Sequence, residues 1–208
     1  APAPARPSAP APARPAAPAP AQAPAREPQA SDQWTDYAKP KDADRLARLD
    51  AAWQAGLEGA RAMDDPDVRN AMAVLGPVVD PDARVLAHPH PAPGDYRCRT
   101  LKLGGMAGFI SYPWFKCRID LTPGGDLTFE KLTGSQRGAG KFYPRDETSL
   151  VYLGGQAWGL DEEKASAYGA IPERDQIGVL ERIGDTRWRL VLPWPRVESD
   201  LDVVEISK

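Results

Sequence analysis

From Asp95 onward the chain alternates apolar and polar residues, and that alternation constrains its fold more than any other feature. In 113–121, Phe115, Cys117, Ile119 and Leu121 fall on one side, with Lys116, Arg118 and Asp120 on the other. This is the period of a half-buried β-strand. Thr122-Pro123-Gly124-Gly125-Asp126 is a hairpin signal, and Leu127, Phe129 and Lys131 open the next strand. Ser149 to Leu153 reads as another strand, ended by Gly154-Gly155. Ile177, Val179 and Ile183 lead to the turn Gly184-Asp185-Thr186. Trp188, Leu190 and Leu192 then alternate against Arg187, Arg189 and Val191, and Leu201, Val203, Val204 and Ile206 close the chain. Many short strands with frequent turns predict a sandwich or a barrel. A closed or nearly closed antiparallel barrel of about eight strands over 95–208 is preferred, because closure removes free strand edges. Its outline is lipocalin-like by analogy.

The residues before the strands read differently. Leu46, Leu49, Trp53, Leu57 and Ala60 recur at spacings of three and four, the stripe of an amphipathic helix. Asp42 and Asp44 suit its start, and Arg45, Arg48 and Arg61 fall off the stripe. A second, shorter helix is predicted from Asp65 as cap and Pro66 at the first turn, with Val68, Met72 and Leu75 inward and a stop at Gly76-Pro77. The helical segment is 31–79. Residues 80–94 hold four prolines and form a connecting loop. The fold class is therefore α+β, mainly β, with short helices leading into a barrel. Residues 1–30, almost all Ala and Pro with a few Arg, cannot build a core and predict an extended, disordered tail or tether.

The net charge of −3 gives no support for nucleic-acid binding. No run approaches the eighteen apolar residues of a membrane-spanning helix. The two cysteines sit in matching basic settings, Tyr96-Arg97-Cys98-Arg99 and Phe115-Lys116-Cys117-Arg118. An even count behind a Pro/Ala-rich start without Met predicts an exported chain, its signal peptide removed, in the periplasm or secreted, with one disulfide. Strand parity points Cys117 into the core, and a hairpin turning near Ala107-Gly108 sets Cys98 opposite it.

Several longer motifs carry a resemblance. They are Pro93-Gly94-Asp95-Tyr96-Arg97-Cys98-Arg99, Tyr112-Pro113-Trp114-Phe115-Lys116-Cys117 and Lys131-Leu132-Thr133-Gly134-Ser135-Gln136-Arg137. Gly178-Val179-Leu180-Glu181-Arg182-Ile183-Gly184 and Trp188-Arg189-Leu190-Val191-Leu192-Pro193-Trp194-Pro195 belong with them. Together they resemble an uncharacterised family of bacterial proteins, domain of unknown function 4893, over about residues 35–208. The resemblance implies a secreted or periplasmic bacterial protein and brings no catalytic residues with it.

Chemistry is sparse. Gly134-Ser135-Gln136-Arg137-Gly138-Ala139-Gly140-Lys141-Phe142 fails the phosphate-loop pattern, since Ala139 stands where its second Gly belongs and Phe142 replaces the metal-binding hydroxyl. As a polar, Gly-rich loop it offers Ser135, Gln136, Arg137 and Lys141 to an anion. His88 and His90 have no acidic or thiol partner nearby, so no metal is expected, and Asp161-Glu162-Glu163 reads as a solvated loop. Trp114 and Trp194 sit beside prolines, where aromatics line a barrel mouth; Arg174, Arg196 and Glu198 are further binding candidates. The sequence leans away from an enzyme and implies no cofactor. It points to a non-catalytic binding module using the barrel mouth or the Gly134–Lys141 loop. The alternative is a protein-interaction role, such as inhibition of a periplasmic hydrolase of the lysozyme type. The partner is accordingly a small ligand or an envelope protein.

Overall fold

The alternating region forms nine antiparallel strands, and eight of them close. The computed structural model describes residues 33–208, so the predicted tail over 1–30 lies outside the described residues. The strands are β1 (Gly94–Gly104), β2 (Gly108–Ser111), β3 (Phe115–Leu121), β4 (Leu127–Lys131), β5 (Arg137–Pro144), β6 (Ser149–Ala157), β7 (Gln176–Gly184), β8 (Arg187–Pro193) and β9 (Leu201–Ser207). Consecutive strands from β3 to β9 pair in order, and β1 pairs with both β3 and β9. The predicted closed barrel therefore forms from β1 and β3–β9. β2 is an extra strand on the second half of β1, where Leu101 pairs with Ser111 and Gly104 with Gly108.

Inside the barrel lie Tyr96, Ile119, Phe129, Phe142, Tyr152, Trp188, Leu190 and Ile206, with the bridge Cys98–Cys117. The turn of the β1–β2 hairpin falls at residues 105–107, with Gly104 paired to Gly108, slightly earlier than the expected Ala107-Gly108. The cysteine register differs from expectation. Cys98 lies opposite Phe115 and Cys117 opposite Tyr96, so the bridge runs diagonally with a Cα separation of 5.9 Å. The hairpin turns about Met106, a register that by itself would set Cys98 opposite Trp114. The interruption at 112–114, where Pro113 can supply no ladder hydrogen bond, shifts β3 by one residue relative to β2 and brings Cys98 opposite Phe115.

The outer wall is apolar as well on one side, because helices cover it. α1 (Pro40–Ala47), α2 (Leu49–Ala62) and α3 (Pro66–Leu75) follow one another before the barrel. Leu46 of α1 packs on Val151, Leu153, Ile177 and Val179. Trp53 and Leu57 of α2 pack with Leu101, Leu103, Val191, Leu201 and Val203. This explains the unbroken apolar run Leu150-Val151-Tyr152-Leu153 in β6, a strand buried on both faces. α2 reaches the sheet through glycine: a Cβ on Gly59 would lie 2.6 Å from the Cα of Gly104.

Two helix expectations need correction. The single stripe is carried by two helices, because Arg48 leaves helical geometry at φ −100° and ψ 25°. The first is capped by Lys39 with Pro40 after it, while Asp42 is buried. Arg45, placed off the stripe by periodicity, is buried too. Its guanidinium donates to the carbonyls of Pro193 and Asp175 and pairs with Asp42 at 3.1 Å. Four satisfied donors make its burial tolerable. α3 follows its sequence reading: Asp65 accepts from the amide of Asp67, and Val68 and Leu75 are buried.

Candidate binding site at the Lys141 edge of the barrel

The barrel does not enclose a ligand-sized space. The rings of Phe129, Phe142 and Tyr152 meet at 5.6–6.5 Å in its middle. Tyr152 fits there because its neighbours lack side chains: a Cβ on Gly154 would lie 2.2 Å from the Tyr152 hydroxyl, and one on Gly140 2.7 Å from its ring. Burial raises the Tyr152 pKa, and its hydroxyl has no protein hydrogen-bond partner. The remaining chamber, beside Thr100, Lys131, Gln176 and Asp202, holds about 30 Å³. That is room for a single water.

The chamber end is polar. Lys102 pairs with Asp202 at 3.2 Å and reaches Glu198 at 3.6 Å. Burial pushes the Asp202 carboxyl upward, partly opposed by Lys102. Lys131 donates to the Gln136 carbonyl at 2.8 Å and lies 4.1 Å from the Phe115 ring centroid. Burial, with Lys102 and Arg137 nearby, lowers its pKa to about 8.

The opposite end is strapped by the Pro-rich segment. Trp188 Nε1 donates to the Pro89 carbonyl at 2.9 Å, and the Tyr96 hydroxyl donates to the Ala92 carbonyl at 2.7 Å. Two side chains rooted in the barrel interior thus hold the strap from below. Beside it a crevice of about 360 Å³ is left, lined by His90, Pro91, Leu121, Leu127, Phe142 and Leu150. The lining is mainly apolar, with His90 and Asp126 as its polar side chains.

A second concavity, of about 710 Å³, runs along the outer wall next to this crevice. Ala139 of β5 and Leu153 of β6 line it, with Thr128 and Glu130 of β4, and Tyr37, Tyr143 and Tyr168 around them. Tyr37 and Tyr143 stack with centroids 5.2 Å apart. Tyr168 is fixed by accepting from the Lys39 amide at 2.9 Å and donating to Asp42 at 2.8 Å. Tyr143 lines both concavities; Lys141 lines the groove and Asp126 the crevice, and these two form an ion pair at 2.6 Å. That pair holds the Asp126 carboxyl below, and the Lys141 amine above, their ordinary ranges. Volumes of this size, largely apolar with a few convergent polar groups, suit small-molecule binding.

The candidates from the sequence are dispersed over the molecule. Only Lys141 lies in this site. Arg137 donates to the carbonyls of Gly134 and Glu162, and Arg174 pairs with the Glu162 carboxylate while lying 5.0 Å from the Trp158 ring centroid. Ser135 is exposed, and Gln136 offers its carbonyl to Lys131. Trp194 Nε1 donates to the Arg48 carbonyl at 3.2 Å, Arg196 is exposed, and Glu198 faces Lys102. Trp114 lies on the outer wall with Arg97 and Arg99 both 4.7 Å from its ring centroid. The residues the sequence reading missed are Tyr37, Tyr143 and Tyr168, which come from three separated segments. Among the described residues no three His, Cys, Asp or Glu side chains are grouped to hold a metal ion, and no helix is long and apolar enough to cross a membrane.

Comparison with known proteins gives one match. The family model described as Domain of unknown function (DUF4893) matches residues 34–206. This covers most of the chain, which therefore belongs to that family. No curated protein and no solved structure matches.

Proposed function

For this member of the DUF4893 family we propose a non-catalytic binding module of the bacterial cell envelope, working in the periplasm or outside the cell. It takes a small, largely apolar ligand in the crevice and groove that meet at Lys141 and Asp126. The observation that carries this reading is the contrast in space: about 30 Å³ inside the barrel against about 360 and 710 Å³ in the two adjoining concavities. A packed interior argues against a lipocalin-like calyx and moves the ligand to the outer-wall groove and the crevice at the strapped end. Stacked Tyr37 and Tyr143 offer flat apolar surface, and Lys141 offers one cation whose partner, Asp126, is replaceable by an acidic group on the ligand. The oxidising location rests on Cys98–Cys117, which is buried and bridged.

The test uses 8-anilinonaphthalene-1-sulfonate, an aromatic anion of suitable size, followed by its fluorescence. The wild-type protein binds it in a saturable manner. Ala139→Leu, which fills the groove without touching the interior, weakens binding by about tenfold, equivalent to ~1.4 kcal/mol. Unchanged affinity in Ala139→Leu, with the variant folded by circular dichroism, refutes the assignment.

A further inference from the structure

The outer wall of β1 and β3 carries a second feature, away from the Lys141 edge. Neighbouring strands here present matched rungs of outward side chains. Asp95 lies opposite Arg118, and their side chains pair at 2.8 Å. Arg118 also faces Glu130 across β4. Two residues along, on the same face, Arg97 lies opposite Lys116. Both are exposed, and neither has a carboxylate within 4.0 Å among the described residues. Like charges placed directly across an antiparallel pair repel. The next outward residue of β1, Arg99, is satisfied by Glu205 at 2.7 Å, and Glu205 also accepts from Arg187 at 2.5 Å. The charge mismatch is therefore confined to one rung.

Trp114 lies beside that rung. The interruption at Pro113 takes it out of the β2 and β3 ladders. Its ring centroid lies 4.7 Å from both the Arg97 and Arg99 guanidinium carbons, and 37% of the residue is exposed. A guanidinium held against an indole keeps its N–H fork preorganised while its charge stays unneutralised. Arg97 thus has a fixed fork, Lys116 a mobile ammonium beside it, and no acid between them.

We propose that Arg97, Lys116 and Trp114 form an oxyanion site that takes a phosphate or sulfate group. Arg97 contacts two oxygens in the bidentate manner of guanidinium, and Lys116 contributes a point charge from the facing strand. The anion converts a repulsive rung into a bridged one, so binding stabilises the β1–β3 pairing that the disulfide also holds.

The experiment compares sodium sulfate with sodium chloride at equal ionic strength, by thermal melting and by amide and indole NMR shifts. Sulfate raises the Tm beyond chloride, and the Trp114 indole and the amides of Arg97 and Lys116 shift in a saturable manner. Lys116→Glu recreates the matched arrangement of Asp95 and Arg118. It melts no lower than wild type in low salt and loses the sulfate-specific Tm rise. A second arm uses vesicles of phosphatidylcholine with and without phosphatidic acid. Shifts of the same signals only with phosphatidic acid, at phosphate concentrations where free ion gives none, place the group on a lipid headgroup. Equal response to free ion places it on a soluble ligand. Equal effects of sulfate and chloride with no vesicle response overturn the proposal, as does a full sulfate response in folded Lys116→Glu.

Discussion

Reducing the Cys98–Cys117 bridge separates its cross-linking effect from its packing, because both sulfur atoms stay in the core. The two residues are 19 apart in sequence. In the loop-entropy account, closing a loop of that size removes enough freedom from the unfolded chain to stabilise the fold by about 3 kcal/mol. For a protein of this size each kcal/mol moves the Tm by about 2–4 °C. The reduced protein therefore melts roughly 6–12 °C below the oxidised one. Circular dichroism melts with and without dithiothreitol, each with a thiol count after the scan, measure this directly. Cys98→Ala with Cys117→Ala loses more, since both residues are almost fully buried and leave cavities in the interior cluster. A reduced form, with two titrated thiols, that melts within about 2 °C of the oxidised form refutes the claim that the bridge constrains the unfolded chain.

Three further substitutions test the packing and charge of the fold. Gly154→Ala puts a methyl 2.2 Å from the Tyr152 hydroxyl and 2.5 Å from the Ala139 carbonyl, so urea unfolding shows a loss of about 3 kcal/mol; an unchanged midpoint contradicts the glycine account. Lys131 has its pKa lowered to about 8 by burial, so above that pH the unfolded chain holds the extra proton and stability rises with pH. The gain has an upper limit of about 3 kcal/mol by pH 10.5. Urea titrations of wild type and Lys131→Met from pH 7.5 to 9.5 isolate it, and parallel pH profiles for the two proteins refute it. Arg45→Met strands the Asp42 carboxylate and the carbonyls of Pro193 and Asp175, costing about 3–5 kcal/mol in chemical denaturation. Adding Asp42→Asn recovers part of that loss, and a single variant as stable as wild type contradicts the buried-network reading.

The barrel was legible because most strands keep one face inside and announce it by alternation. Cys117 and Ile119, or Leu190 and Leu192, point inward as their parity requires. The diagonal cysteine register was not legible, since it depends on a break at 112–114 that alternation on either side does not register. Arg45 was misplaced for a related reason: periodicity sorts residues by hydropathy, and a buried arginine is paid for by carbonyls distant in sequence. The site was the least legible part. Lys141 was singled out as a loop cation, but it belongs to a strand, and its ion-pair partner lies in the β3–β4 turn. Tyr37, Tyr143 and Tyr168 meet only through the closure of the sheet and the packing of the segment before α1. The glycines 154 and 155 read as the end of a strand, whereas they continue β6, and Gly154 accommodates Tyr152.

The central claim, that the barrel is filled and its ligand sits in the outer groove and the crevice beside the strap, is tested most directly by amide-shift mapping of the 8-anilinonaphthalene-1-sulfonate complex. The account predicts saturable shifts confined to Tyr37, β4, Ala139 to Tyr143, residues 165–169 and the strap around His90. Shifts centred on the inward residues Leu190, Leu192 and Val204, with the outer groove silent, would show that the interior opens to the ligand and would contradict it.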